Sequence, residues 1–120
     1  MTERLPITGP QDRFANLEGV KGETYYGRIG IYNADGVTPV DLTGYTLTMF
    51  IWEGDELRKT ALCTESQVEG AGWVDVDISA AETAALNPVA HHFELWADNG
   101  AGQVKLIIWG WFWVRGQCLP

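Results

Sequence analysis

Residues 45–52 read Tyr-Thr-Leu-Thr-Met-Phe-Ile-Trp, and this stretch decides the fold class. Apolar side chains occupy every second position from Tyr45 to Ile51, while the alternate positions begin with two threonines and end with Phe50 and Trp52. A period of two places alternate side chains on opposite faces of a strand, and these residue types favour strands. The stretch therefore predicts a β-strand with one core-facing side and a second side that is apolar at one end.

The same alternation recurs along the chain, with turn-forming residues between the repeats. It predicts strands near residues 14–17, 25–32, 45–52, 57–63, 73–78, 92–97 and 104–115. Ser79 and Glu82 have the spacing of a capping box, which predicts one short helix that ends by Leu86. The predicted fold class is all-β: an immunoglobulin-like antiparallel sandwich of six or seven strands with one short helical turn.

The length of 120 residues is that of one ordinary domain with a single core. Residues 1–21 show no sustained period and contain Pro6, Gly9 and Pro10, which interrupt regular structure. We therefore expect residues 1–21 to form an N-terminal arm with at most one short strand, and residues 22–120 to form the sandwich domain.

Composition narrows the classes of partner. The formal net charge is −8 and the eight basic residues are scattered, so we expect no nucleic-acid partner. No run is long and apolar enough for a membrane span and residues 1–10 lack a secretory signal, so we expect no membrane partner. Cys63 and Cys118 are too few for a disulfide framework; two reduced thiols and a single bridge both remain open.

Candidate chemistry is sparse. Most acidic residues are explained by turns, the helix cap or, for Asp75 and Asp77, the polar face of a strand. His91 and His92 are adjacent, so their side chains point to opposite faces of a strand and cannot share a metal ion. No nucleophile motif or phosphate-binding loop is present. We expect no enzyme activity and assign no catalytic residue, cofactor or metal site.

The last strand is unusual because both of its faces are apolar. If its even-numbered residues enter the core, Trp109, Trp111 and Trp113 form a ladder on the outside. The same parity places three more rings on that surface: Phe50, Trp52 and Trp96. Three interpretations stay open: the rings are covered by the arm, the helix or a loop; they form a protein interface; or they stack on sugars.

Three stretches carry a family resemblance: residues 22–25 (GETY), residues 32–45 (YNADGVTPVDLTGY) and residues 74–86 (VDVDISAAETAAL). With these motifs, residues 22–114 resemble the immunoglobulin-like N-terminal domain of baseplate upper proteins, and related tail or appendage proteins, of tailed phages. The resemblance implies a structural domain that docks onto the tail or its hub and carries no enzymatic residues. A long helical or receptor-binding portion follows the sandwich in those relatives, whereas this chain stops at Pro120. We therefore expect a small adaptor, decoration or fibre-attachment subunit.

The resulting hypothesis is a structural protein of a tailed-phage virion, at the tail or baseplate, that is assembled in the host cytoplasm. Its expected partners are other virion proteins, as a homo-oligomer or as part of a larger assembly, and its expected interface is the set of six rings. The alternative is a carbohydrate-binding module for host attachment. In that case the rings should be flanked by hydrogen-bonding groups such as Asp75, Asp77 or Gln103.

Overall fold

The computed structural model describes residues 2–7, 14–33, 38–65 and 72–116. In chain order its elements are β1 (Thr2–Ile7), β2 (Phe14–Val20), β3 (Tyr25–Asn33), β4 (Thr46–Glu53), β5 (Glu56–Glu65), β6 (Trp73–Ile78), α1 (Ala80–Ala84), β7 (Ala90–Asp98) and β8 (Val104–Arg115). The prediction of an all-β fold with one short helix is confirmed. The predicted turn at residues 34–36 and Cys118 lie outside the described residues.

The eight strands are hydrogen-bonded in one continuous order, β1-β3-β6-β5-β4-β7-β8-β2, and β5 divides this order into two sheets. The first sheet has the order β1-β3-β6-β5, and the second has the order β5-β4-β7-β8-β2. β5 belongs to both because its residues up to Cys63 pair with β4, while Thr64 and Glu65 pair with β6. The inner faces of both sheets contribute to one hydrophobic core, as in a β-sandwich.

Strand number and direction differ in detail from the prediction. The described residues form eight strands instead of six or seven. The five inner neighbouring pairs are antiparallel, whereas β1 pairs with β3 and β2 pairs with β8 in parallel. The sandwich is therefore mixed, with its two parallel pairs at the ends of the strand order.

The predicted N-terminal arm over residues 1–21 is the largest correction. β1 and β2 both lie in this segment and pair along their full lengths with β3 and β8. Ala15 and Leu17 are buried in the core, and Leu17 is 0% exposed. The predicted boundary between residues 21 and 22 therefore does not separate an arm from the sandwich, because β2 is one of the strands that enclose the core.

Alternation within the inner strands supplies the core. β7 buries His91, Phe93, Leu95 and Ala97 in strict alternation with partly exposed residues. Each large apolar side chain that is fully buried stabilises the fold by about 1.5–3 kcal/mol relative to an exposed one. The strands therefore hold their registers, because a slip of one residue would exchange the buried and exposed sets.

The helix begins where the capping box predicts. Ser79 Oγ accepts a hydrogen bond from Glu82 N–H at 3.2 Å, and Glu82 Oε1 accepts one from Ser79 N–H at 3.0 Å. The prediction of a helix start at Ser79 is confirmed, since each side chain satisfies a backbone donor that the first turn leaves free.

Candidate protein-docking surface

The six predicted interface residues lie on one face of the second sheet. In the strand registers Phe50 is opposite Glu94, which is opposite Trp109, and Trp52 is opposite His92, which is opposite Trp111. Residues directly opposite each other on paired strands project to the same face. We call the outward side of this sheet the outer aromatic face, defined by Phe50, Trp52, Trp96, Trp109, Trp111 and Trp113.

The rings of the outer aromatic face differ in exposure. Trp111 is 41% exposed and Trp113 is 48% exposed, whereas the other four are partly buried. Phe14 of β2 packs edge-to-face on Trp109, with the ring centroids 4.9 Å apart. The N-terminal segment therefore shields part of Trp109, as one interpretation of the sequence expected, but it leaves the next two tryptophans of the ladder open.

A β-bulge explains where the predicted parity of β8 fails. Leu95 pairs with Ile108 but Trp96 pairs with Leu106, so Ile107 is the extra residue. Ile107 and Ile108 are both buried, while Val104 is exposed. The even-numbered residues therefore face the core only from Ile108 onward. The outward position of the three tryptophans agrees with the prediction because they follow the bulge.

Glu94 lies near the centre of the outer aromatic face. Its Oε1 accepts a hydrogen bond from Trp96 Nε1–H at 3.1 Å, and its Oε2 is 3.3 Å from His92 Nε2. The His92 ring in turn lies 6.1 Å from the Trp111 ring and 6.3 Å from the Trp109 ring. These contacts fix the ring orientations, so the centre of the face is pre-organised.

A groove of about 330 Å³ opens on the same face beside Trp96. The groove is lined by the apolar residues Phe50, Trp96 and Val104 and by the polar residues Thr46, Thr48 and Asp98. Of these six residues, only Phe50 and Trp96 were predicted from the sequence as part of an interface. A groove with aromatic walls and few polar groups is able to hold a side chain of a partner.

Four further apolar residues of the face were absent from the predicted set: Phe14, Leu57, Leu62 and Val104. Leu57 lies opposite Trp52 and Leu62 lies opposite Thr48, so both point outward. Leu62 is 74% exposed. Only the strand registers identify these residues as neighbours of the rings. The sequence of β5 shows by itself only that one of its faces carries both polar and apolar residues.

Two of the three polar groups expected for sugar stacking, Asp75 and Asp77, lie on the first sheet. Asp75 lies on β6 in the first sheet, where its Oδ1 accepts a hydrogen bond from Arg28 Nε–H at 2.8 Å. Asp77 lies on the same strand, and Gln103 interacts with Asn99 in the loop between β7 and β8. The structure therefore does not place Asp75 or Asp77 on the sheet that carries the outer aromatic face.

The two histidines separate as predicted. His91 is fully buried, with Nδ1 3.0 Å from Val89 O, while His92 lies on the outer aromatic face. Within the described ranges, no group of three His, Cys, Asp or Glu side chains could hold a metal ion. No helix in the same ranges is long and apolar enough to cross a membrane.

Comparison with known proteins gives a match in structure but not in sequence. No protein-family model matches the chain, and no curated protein matches it by sequence. Among solved structures, the N-terminal domain of phage TP901-1 ORF48 matches with a TM-score of 0.60 at 13% identity, over 96% of this chain and 99% of that one. The two chains share a fold. The cysteine protease inhibitor EhICP2 from Entamoeba histolytica matches over 95% of this chain and 97% of its own, but with a TM-score of 0.43 at 10% identity.

Proposed function

We propose that this protein is a structural component of a tailed-phage virion that acts by docking onto other virion proteins through its outer aromatic face. The observation that carries the proposal is the exposure of Trp111 and Trp113 on a sheet whose neighbouring residues are also apolar. Tryptophan dominates interface hot spots because it buries a large area at a small cost in conformational entropy. A patch of this kind on a soluble chain is typical of an interaction site.

Two further observations support the phage context. The sequence motifs of residues 22–86 resemble the N-terminal domain of baseplate upper proteins, and the fold is that of a domain from a phage protein. In this proposal the chain is a tail, baseplate, fibre-attachment or decoration subunit that is assembled in the host cytoplasm and is not an enzyme. The sugar-binding alternative is less favoured because two of the three polar residues expected to flank the rings, Asp75 and Asp77, lie on β6 in the first sheet.

The test is incorporation into particles. In particles purified from a phage or prophage that encodes the chain, we expect mass spectrometry to detect the wild-type protein. Trp111→Ser should reduce incorporation, since loss of a hot-spot tryptophan weakens an interface by about 2 kcal/mol or more, which is roughly thirtyfold in affinity. Tyr26→Ser is the matched control, because Tyr26 is an exposed aromatic residue like Trp111, 48% against 41%, but lies on β3 in the first sheet.

Light scattering across a concentration series tests self-association separately. A defined oligomer that dissociates in Trp111→Ser but persists in Tyr26→Ser supports a homo-oligomeric interface on this face. Complete absence of the wild-type chain from purified particles would contradict the virion proposal, whatever its oligomeric state.

A further inference from the structure

The groove beside Trp96 combines aromatic walls with the Asp98 carboxylate, whereas the Glu94 carboxylate at the centre of the outer aromatic face already interacts with Trp96 and His92. We infer that this groove receives a basic side chain, Lys or Arg, from the docking partner. Phe50 and Trp96 would hold the apolar stem and the cation, and Asp98 would pair with the charge. The inference rests on the proposed function, since it specifies the chemistry of the partner at the same face.

The geometry of Asp98 leaves it available to a partner. Its Oδ1 accepts a hydrogen bond from Gly100 N–H at 2.8 Å, which fixes the carboxylate at the end of β7. Asp98 has no ion pair with a basic side chain in the described part of the chain. Trp96 and Asp98 are two residues apart, or about 7 Å along the strand. A long basic side chain that lies along the groove can therefore contact the indole and the carboxylate together.

The charges of the surrounding face favour a basic partner. Glu94 and Asp98 both project from this side of β7, and Glu94 interacts with His92 and Trp96. Arg115 is at the far end of the face, where its Nη1 is 3.1 Å from Glu18 Oε1. Lys105, the nearest lysine in sequence, sits over the Tyr45 ring, with Nζ 5.4 Å from the centroid. With a net charge of −8 on the chain, the electrostatic complement is a positively charged segment.

The experiment uses N-acetyl-arginine amide as the probe and N-acetyl-citrulline amide as its neutral isostere. Titrations of the full chain are followed through the indole N–H resonance of Trp96 by nuclear magnetic resonance. We expect the arginine probe to shift this resonance with saturation, and the citrulline probe to bind at least about threefold more weakly. The expected ratio is modest because ion pairs at an exposed carboxylate are weak.

Two variants locate the charge effect. Asp98→Asn keeps an oxygen for the Gly100 N–H and should weaken the arginine probe at least about threefold, while leaving the citrulline probe unchanged. Asp77→Asn removes an exposed carboxylate from the first sheet and should change neither affinity. Equal binding of the two probes, equal effects of the two variants, or a shift produced only by a neutral sugar such as methyl glucoside would overturn the inference.

Failure of the arginine probe to bind is distinguishable from failure of the proposed function. A partner that docks only through apolar contacts would leave the Trp111→Ser effect on particle incorporation intact while the arginine probe failed. Conversely, if the groove bound arginine but the chain were absent from particles, the inferred chemistry of the groove would stand and the virion proposal would fail.

Discussion

Cys63 shows how burial controls a single reactive side chain. It is 7% exposed and belongs to the core, and its Sγ lies 3.8 Å from Ala61 O. Burial disfavours the charged thiolate and raises the pKa of this thiol from 9.0 to about 12. The native thiol is therefore protonated at neutral pH and is a packed apolar group rather than a nucleophile.

This raised pKa predicts a pH-dependent stability with a definite sign. Above pH 9 the thiol ionises in the unfolded chain but stays neutral in the folded one, so the folded state holds the extra proton and loses stability as pH rises. We expect the free energy of unfolding of the wild type to fall by about 1 kcal/mol per pH unit relative to Cys63→Ala between pH 9 and 11. Urea unfolding of both proteins at several pH values measures the difference, in which the other titrating groups cancel. Parallel pH profiles would contradict the burial of the thiol.

At the scale of elements, the short helix is held by the turn between β2 and β3. Thr83 is 1% exposed, and its Oγ1 accepts a hydrogen bond from Gly22 N–H at 3.1 Å and lies 2.8 Å from Glu23 O, to which it donates. Lys21 Nζ donates to Ala84 O, a carbonyl of the last helical turn, and to Leu86 O just beyond the helix. Residues 22–25 and 74–86, two of the motif stretches in the sequence, are therefore in direct contact.

Removal of this hydroxyl should destabilise the whole domain. Thr83→Val preserves shape but leaves the Gly22 N–H and the Glu23 carbonyl without this partner, so we expect a loss of about 1–3 kcal/mol in the free energy of unfolding. Thr83→Ser retains the hydroxyl and is the matched control, with a smaller loss. Thermal and urea unfolding measure both variants. If the valine variant proved as stable as the serine variant, the contribution of these hydrogen bonds to stability would be refuted.

The elements differ in how far the sequence alone could predict them. The cap at Ser79 and the alternation of β4 and β7 were predictable because each depends on residues within a few positions of one another. The placement of β2 was not, because its pairing with β8 joins residues almost a hundred positions apart and its short alternation includes Gly19. The bulge at Ile107 was hidden for a related reason: it depends on the register with β7.

At the scale of the whole molecule, the N-terminal segment contributes an edge strand to each sheet. β1 pairs with β3 in the first sheet and β2 pairs with β8 in the second. The contact between β2 and β8 is unusually close at Gly110, where a Cβ atom would lie 1.8 Å from the Ala15 carbonyl oxygen. Gly110, which interrupts the apolar alternation of β8, thus allows the β2 backbone to pack directly against β8.

Gly110→Ala should therefore force β2 away from β8 and expose the side chains that β2 buries, Ala15 and Leu17. Because the obstacle is backbone and not a flexible side chain, we expect a loss of about 3 kcal/mol or more in the free energy of unfolding. Gly116→Ala is the matched control, because a Cβ there would make only an ordinary contact, 3.8 Å from Pro88 Cβ. Urea unfolding measures stability, and amide hydrogen exchange should show faster exchange in β2 of the Gly110 variant. Equal stability of the two variants would contradict the role of β2 in closing the sandwich. It would instead fit the N-terminal arm that the sequence predicted.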